Sequence, residues 1–176
     1  MQKRLALTSA AALLAFVSVA PLAGAAEQAT AKTGAKPPGA SPSVLARGRY
    51  LVSVGSCNDC HTDGYAPSEG KVPEKDWLLG GGPLGFNGPW GTTYAPNLRL
   101  TLSKLTESQW VKQARELKTR PPMPWFNLNH WTEPDLRAFY RYVRSLGPVG
   151  EPAPEYLPPD KTPPPPFLLW PAPPKK

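Results

Sequence analysis

The sequence predicts an all-α domain, three or more helices joined by long glycine- and proline-rich loops and followed by an extended proline-rich C-terminal tail. Three observations carry that prediction. Apolar residues recur at helical spacing in three segments, each of which opens on a capping signal. No segment alternates convincingly enough to read as a strand. The 25 prolines are unevenly placed, eleven of them in residues 149–176, and leave one stretch of about 100 residues, enough for one domain.

The chain opens with Lys3 and Arg4, an apolar run from about Leu5 to Ala20 and the small residues Ala23-Gly24-Ala25-Ala26. This is the pattern of a secretory signal peptide over residues 1–26, with an uncleaved N-terminal anchor as the alternative. The run is short for a bilayer span, and no other run of about 20 apolar residues follows, so no transmembrane segment is expected after cleavage. Residues 27–42, EQATAKTGAKPPGASP, read as a flexible linker. Residues 43–148 form the domain. Residues 149–176 are too rich in proline for a helix or a central strand and read as an extended tail.

Within the domain the first helix follows Ser41-Pro42-Ser43, carries Val44, Gly48, Leu51, Val52 and Gly55 at helical spacing, and delivers the chain to Cys57. Gly48 interrupts this stripe at a cost of about 1 kcal/mol relative to alanine. A close helix crossing, with Phe139 or Tyr140 approaching the backbone, would explain it. The second helix begins at Thr106, capped reciprocally with Gln109, places Trp110, Ala114 and Leu117 on one face, and stops before Arg120-Pro121-Pro122. The third begins at Thr132, accommodates Pro134 in its first turn, and aligns Leu136, Phe139, Tyr140, Val143 and Leu146 before Gly147-Pro148. Arg137, Arg141 and Arg144 lie off that stripe.

Loss of Lys3 and Arg4 with the signal peptide lowers the formal charge from +7 to +5, since no acid leaves with them. The balance is basic without an extended Lys/Arg run or an aromatic-and-basic module, which argues against a nucleic-acid partner. It suits a solvated surface or the steering of an acidic protein partner.

Residues 57–61 read CNDCH and hold both cysteines and one of the two histidines. Three chemistries compete for such a stretch: a redox disulfide, a zinc ligand pair and covalent attachment of haem. A thioredoxin-type disulfide belongs with a βαβ pattern, which is absent. Zinc needs four well-spaced ligands, and only His130 remains as a distant donor. Haem needs two thioethers and a histidine one step beyond the second, so Cys57, Cys60 and His61 point to one covalent haem c. A six-coordinate iron needs a second axial ligand. Met123, in RPPMPW, is the only methionine left once Met1 is removed, and flanking prolines stiffen its loop. His130 is the rival.

The segments GRYLVSVGSCNDCHT, GTTYAPNL, MPW and LRAFYRYVRSL, in this order and spacing, resemble class I bacterial cytochrome c. They are most similar to the single-haem modules in the cytochrome subunits of periplasmic alcohol, gluconate and sorbitol dehydrogenases. The resemblance covers residues 43–148. It implies a cytochrome c fold, Cys57 and Cys60 as attachment points, His61 as proximal and Met123 as distal ligand. It also implies that Tyr94 to Leu98 line the haem edge near the propionates, with Trp90 and Asn97 as candidate hydrogen-bond donors. The chain carries one such module where those subunits carry several, and NLRL stands where a proline-bearing turn is usual. The Gly80-Gly81-Gly82 run lacks the context of a phosphate loop and is expected to lie flat against the haem.

The function expected from this resemblance is periplasmic transfer of single electrons, as a carrier or a dehydrogenase subunit, with no catalysis of its own. A dehydrogenase would be the donor and an oxidase or another cytochrome the acceptor. The alternatives are a haem enzyme or gas-binding protein with a labile distal ligand, and an interaction module built on the proline tail.

Overall fold

A computed structural model describes residues 40–171. The signal peptide expected at 1–26, the linker up to residue 39 and the tail beyond residue 171 lie outside the described residues. Six helices and a small three-stranded sheet make up the rest, so the chain is mixed rather than all-α.

Helix α1 spans Pro42–Val54, with the Ser41 hydroxyl accepting from Val44 N–H and proline in its first turn. It does not run unbroken into the cysteines. Gly55 closes it, Ser56 turns left-handed at φ 53°, and a separate single-turn helix, α2, spans Cys57–His61. After a 3₁₀ turn at Glu74–Asp76 come strands β1, Gly85–Gly88, and β2, Gly91–Tyr94, paired antiparallel. Helix α3, Leu98–Ser103, leads to α4, Glu107–Glu116, whose capping box between Thr106 and Gln109 is formed in both directions. Helix α5 spans Trp125–Asn129. Helix α6 spans Glu133–Ser145, capped by the Thr132 hydroxyl on Asp135 N–H. The chain then returns as strand β3, Phe167–Leu169, lying parallel beside β1 to give the order β2-β1-β3.

The core forms around α6 because two of its faces are apolar. Leu136, Phe139, Tyr140 and Val143 are buried as the stripe predicts, and so are Ala138 and Tyr142. Trp110 of α4 stacks on Phe139 at 5.3 Å between ring centroids and donates its indole N–H to Leu136 O at 2.9 Å. Each such large apolar side chain contributes on the order of 1.5–3 kcal/mol by leaving water.

The other face of α6 meets α1 at Gly48. A Cβ built there would lie 2.3 Å from Ala138 O and 2.5 Å from Tyr142 Cβ. The close crossing is therefore real, but its partners are Ala138 and Tyr142. Phe139 is occupied with Trp110 and Trp131, and Tyr140 donates its hydroxyl to Leu105 O. The off-stripe arginines clamp neighbouring elements. Arg137 and Arg141 both bond Glu107 at the start of α4, and Arg144 donates to carbonyls at the end of α3.

Candidate functional site

Cys57 and Cys60 stand one helical turn apart on α2, which puts their sulfurs on the same side of that turn. They are half-buried and unbridged. Desolvation pushes the Cys57 thiol up to about 12 and the Cys60 thiol upward too, so neither is primed as a thiolate nucleophile.

His61 ends α2 and is buried. Its Nδ1 lies 2.8 Å from Pro96 O. A carbonyl only accepts, so this bond selects the tautomer with hydrogen on Nδ1 and leaves the Nε2 lone pair for another partner. Burial, only partly opposed by the Pro96 bond, lowers the pKa of the ring and favours the neutral form that a metal ligand requires.

The site is held by backbone approaches that cross long sequence distances. Thr62 Oγ1 donates to Asn58 Oδ1 at 2.7 Å and accepts from Leu78 N–H at 2.8 Å. Leu78 is fully buried and left-handed at φ 62°, a conformation that costs about 1–2 kcal/mol outside glycine. Its N–H bond to Thr62 and the bond its carbonyl accepts from Leu98 at 3.0 Å hold it there. The glycine run after it lies on peptide, where the sequence predicts contact with haem. Gly80 N–H donates to His61 O at 2.9 Å and Gly81 N–H to Ala95 O at 3.2 Å. A Cβ on Gly81 would meet Cys60 O at 2.5 Å.

The remaining candidates lie on the hairpin and the segments after it. Trp90 is in the two-residue turn between β1 and β2, and its Nε1 is buried with no hydrogen-bond partner. Leaving such a group unpaired costs about 1–3 kcal/mol; Asn58 Nδ2 stands in the same state. Tyr94 ends β2, half-buried and opposite Gly85. Asn97 is buried, but its side chain is already engaged. Oδ1 caps α3 by accepting from Leu100 N–H at 3.0 Å, and Nδ2 donates to Val149 O at 2.9 Å and Glu151 O at 3.3 Å. Of the two candidate donors only Trp90 has a hydrogen to offer. Met123 is half-buried in the loop before α5, a loop tied to β2 by Thr93 Oγ1 donating to Pro121 O at 2.8 Å. His130 caps the end of α5 and is exposed.

Sequence reasoning placed Pro96 only within the Tyr94 to Leu98 segment and missed its bond to His61, because the contribution is a backbone carbonyl and leaves no residue-type signature. It also missed Arg99, which is 5% exposed and donates to the carbonyls of Lys75, Leu146 and Gly147. Arg99 thereby fixes α3, which follows the His61 anchor, to the end of α6. The available signal was a lone arginine between leucines, which stands out only as a departure from a proline-bearing turn.

Two unbridged thiols one helical turn apart and a buried imidazole whose Nδ1 is bound to a carbonyl suit a group that bonds two thiols and takes a neutral imidazole on a metal. They do not suit zinc, because among the described residues no three His, Cys, Asp or Glu side chains converge. No helix among the described residues is long and apolar enough to cross a membrane.

No protein-family model matches the chain, and no solved structure matches it. Two curated proteins are similar to it. A nicotinate dehydrogenase subunit of Pseudomonas putida is 28% identical over 131 residues, covering 67% of this chain and 10% of that protein. The fructose dehydrogenase cytochrome subunit of Gluconobacter japonicus is 26% identical over 122 residues, covering 63% of this chain and 23% of that protein. The chain thus spans less than a quarter of either relative, and the likeness supports a cytochrome-like relationship to dehydrogenase subunits.

Proposed function

We propose that this protein transfers single electrons in the periplasm through one covalent haem c, as a carrier or as the cytochrome subunit of a dehydrogenase. The observation that carries the proposal is buried His61, held through Nδ1 on Pro96 O, directly after two unbridged thiols. The bound group would supply a one-electron iron couple. Every other part is assigned to the chain's own residues.

Cys57 and Cys60 hold the macrocycle as thioethers. His61 would hold the metal through Nε2, its bond to Pro96 fixing the ring plane and raising its basicity. Met123 would be the second side chain to hold the metal, presented by a loop that prolines and the Thr93 bond restrain. By the resemblance, Trp90 and half-buried Tyr94 would line the pocket of the bound group. Were His61 and Met123 both to hold the metal, substrate would have no place on it, and the role left to the chain would be outer-sphere electron transfer. The relatives being dehydrogenase subunits supports a dehydrogenase as electron donor, with an oxidase or another cytochrome as acceptor. Exposed Lys112, Arg115, Lys118 and Arg120, on α4 and the segment leading to Met123, give such a partner a basic face to approach, Arg115 being partly engaged by Glu133 at 3.4 Å.

Carbon monoxide added to the reduced full-length protein at neutral pH tests this. The expected result is no rapid binding, because Met123 holds its position. Fast stoichiometric binding would reveal a labile site and replace the carrier by a gas-binding protein or haem enzyme.

A further inference from the structure

The sequence predicts an extended tail; the structure returns it along the hairpin. Val149 and Glu151 accept from Asn97 Nδ2, Leu157 and Thr92 exchange backbone hydrogen bonds at 2.8 and 3.0 Å, and β3 runs along β1 in register. Little apolar surface is buried by this course. Phe167, Leu168 and Leu169 are 40%, 48% and 71% exposed, so β3 adds almost nothing to the core.

The middle of the tail has a different consequence, because it meets the loop that carries Met123. The chain between α4 and α5 belongs to no helix or strand, and prolines at 121, 122 and 124 stiffen it without fixing where it lies. At its start Asn129 Nδ2 donates to Ala114 O and Leu117 O at 2.7 and 3.3 Å. Two contacts from distant chain reach the stretch beyond. Thr93 Oγ1 donates to Pro121 O at 2.8 Å, and the Arg120 guanidinium lies over the Tyr156 ring, 3.7 Å from its centroid.

The Tyr156 ring is itself anchored at both ends. Its hydroxyl donates to Trp90 O at 2.8 Å, and its backbone precedes Leu157, which is bonded to Thr92. Thr92 thus holds the tail while its neighbour Thr93 holds the loop. Tail, strand and loop close a ring of contacts that ends two residues before Met123.

We propose that Tyr156 is a positioning residue: through its stack on Arg120 the tail latches the loop and keeps Met123 in place. This rests on the reading of Met123 as a metal ligand given above. Side chains on a proline-stiffened loop move chiefly as the loop swings, and a swing of residues 120–123 has to break the Tyr156 stack or the Thr93 bond. The tail thereby slows departure of the thioether without touching the bound group.

The test follows the entry of imidazole onto the iron of the full-length oxidised protein, which requires Met123 to leave. Arg120→Ala and Tyr156→Leu are each expected to speed entry about two- to fivefold, the worth of an exposed cation–π contact. Arg120 is exposed, so its replacement leaves the core intact. The double variant is expected to be no faster than Tyr156→Leu alone, since the guanidinium then has no ring to stack on. A wild-type rate in either single variant, or effects that multiply in the double variant, overturns the proposal. If Met123→Ala leaves the rate unchanged, the ligand assignment fails by that fact alone. The methyl resonance of ¹³C-labelled Met123, identified as the one lost in Met123→Ala, then decides the latch: mobilised in both single variants, the tie between tail and loop stands; unmoved in either, it falls.

Discussion

Gly81 lies so close to Cys60 that a Cβ on the glycine would sit 2.5 Å from the cysteine's carbonyl oxygen. The obstructing atom is backbone, within the short helix that positions both thiols and His61, so it cannot swing aside. Gly81→Ala is expected to destabilise the protein by about 1–3 kcal/mol, seen as a fall of several degrees in Tm, and to reduce the yield of haem-loaded protein. Wild-type stability and loading in the variant would show that the glycine run does not brace the site.

Gly48→Ala sets two effects against each other. Alanine in a helix interior gains about 1 kcal/mol over glycine, while a Cβ 2.3 Å from Ala138 O forces α1 away from α6 at a cost of about 1–3 kcal/mol. The crossing wins because its contact atoms are a carbonyl and a Cβ, neither of which can rotate away. Chemical denaturation is expected to show net destabilisation, and a stabilised variant would mean the helices do not cross this closely.

How much of this is legible in the sequence follows the range of the interactions. The caps at Ser41, Thr106 and Thr132 are readable because each is settled within three residues of sequence. CNDCH is readable because its chemistry is compressed into five positions. The sheet is not, since β1 and β2 are four-residue strands rich in glycine and β3 lies among prolines. Their pairing joins Gly85 to Phe167 across the domain, which no local pattern encodes. Asn97 illustrates the same limit: a side chain expected to face the haem is taken up by the carbonyls of Val149 and Glu151.

Glu107 accepts from Arg141 at 2.7 Å and from Arg137 at 2.8 Å, and these bonds, Arg141's first, hold its carboxyl below the usual range despite partial burial. A carboxyl depressed in the folded state contributes stability that is present above its unfolded pKa and lost as pH falls through the folded value. Glu107→Gln is therefore expected to lower stability at neutral pH by about 1 kcal/mol. The gap to wild type should close as pH drops below the ordinary glutamate range. A gap that persists unchanged in acid would assign the effect to packing and not to charge.

Met123 and His130 differ in burial and setting, the one half-buried in a restrained loop and the other exposed at the end of α5. Thioether ligation raises the potential relative to a second imidazole. Met123→Ala is expected to abolish the weak far-red sulfur-to-iron band of the oxidised protein and lower its potential, while His130→Ala leaves both in place. The reverse pattern would give the distal position to His130.

Covalent haem on Cys57 and Cys60, on which every functional assignment above depends, is best probed by extracting the denatured full-length protein with acidified acetone. Haem is expected to stay with the wild-type polypeptide and to be absent or released when both cysteines are replaced by alanine. Free haem recovered from the wild-type chain, or a properly exported chain that carries none, would rule covalent attachment out.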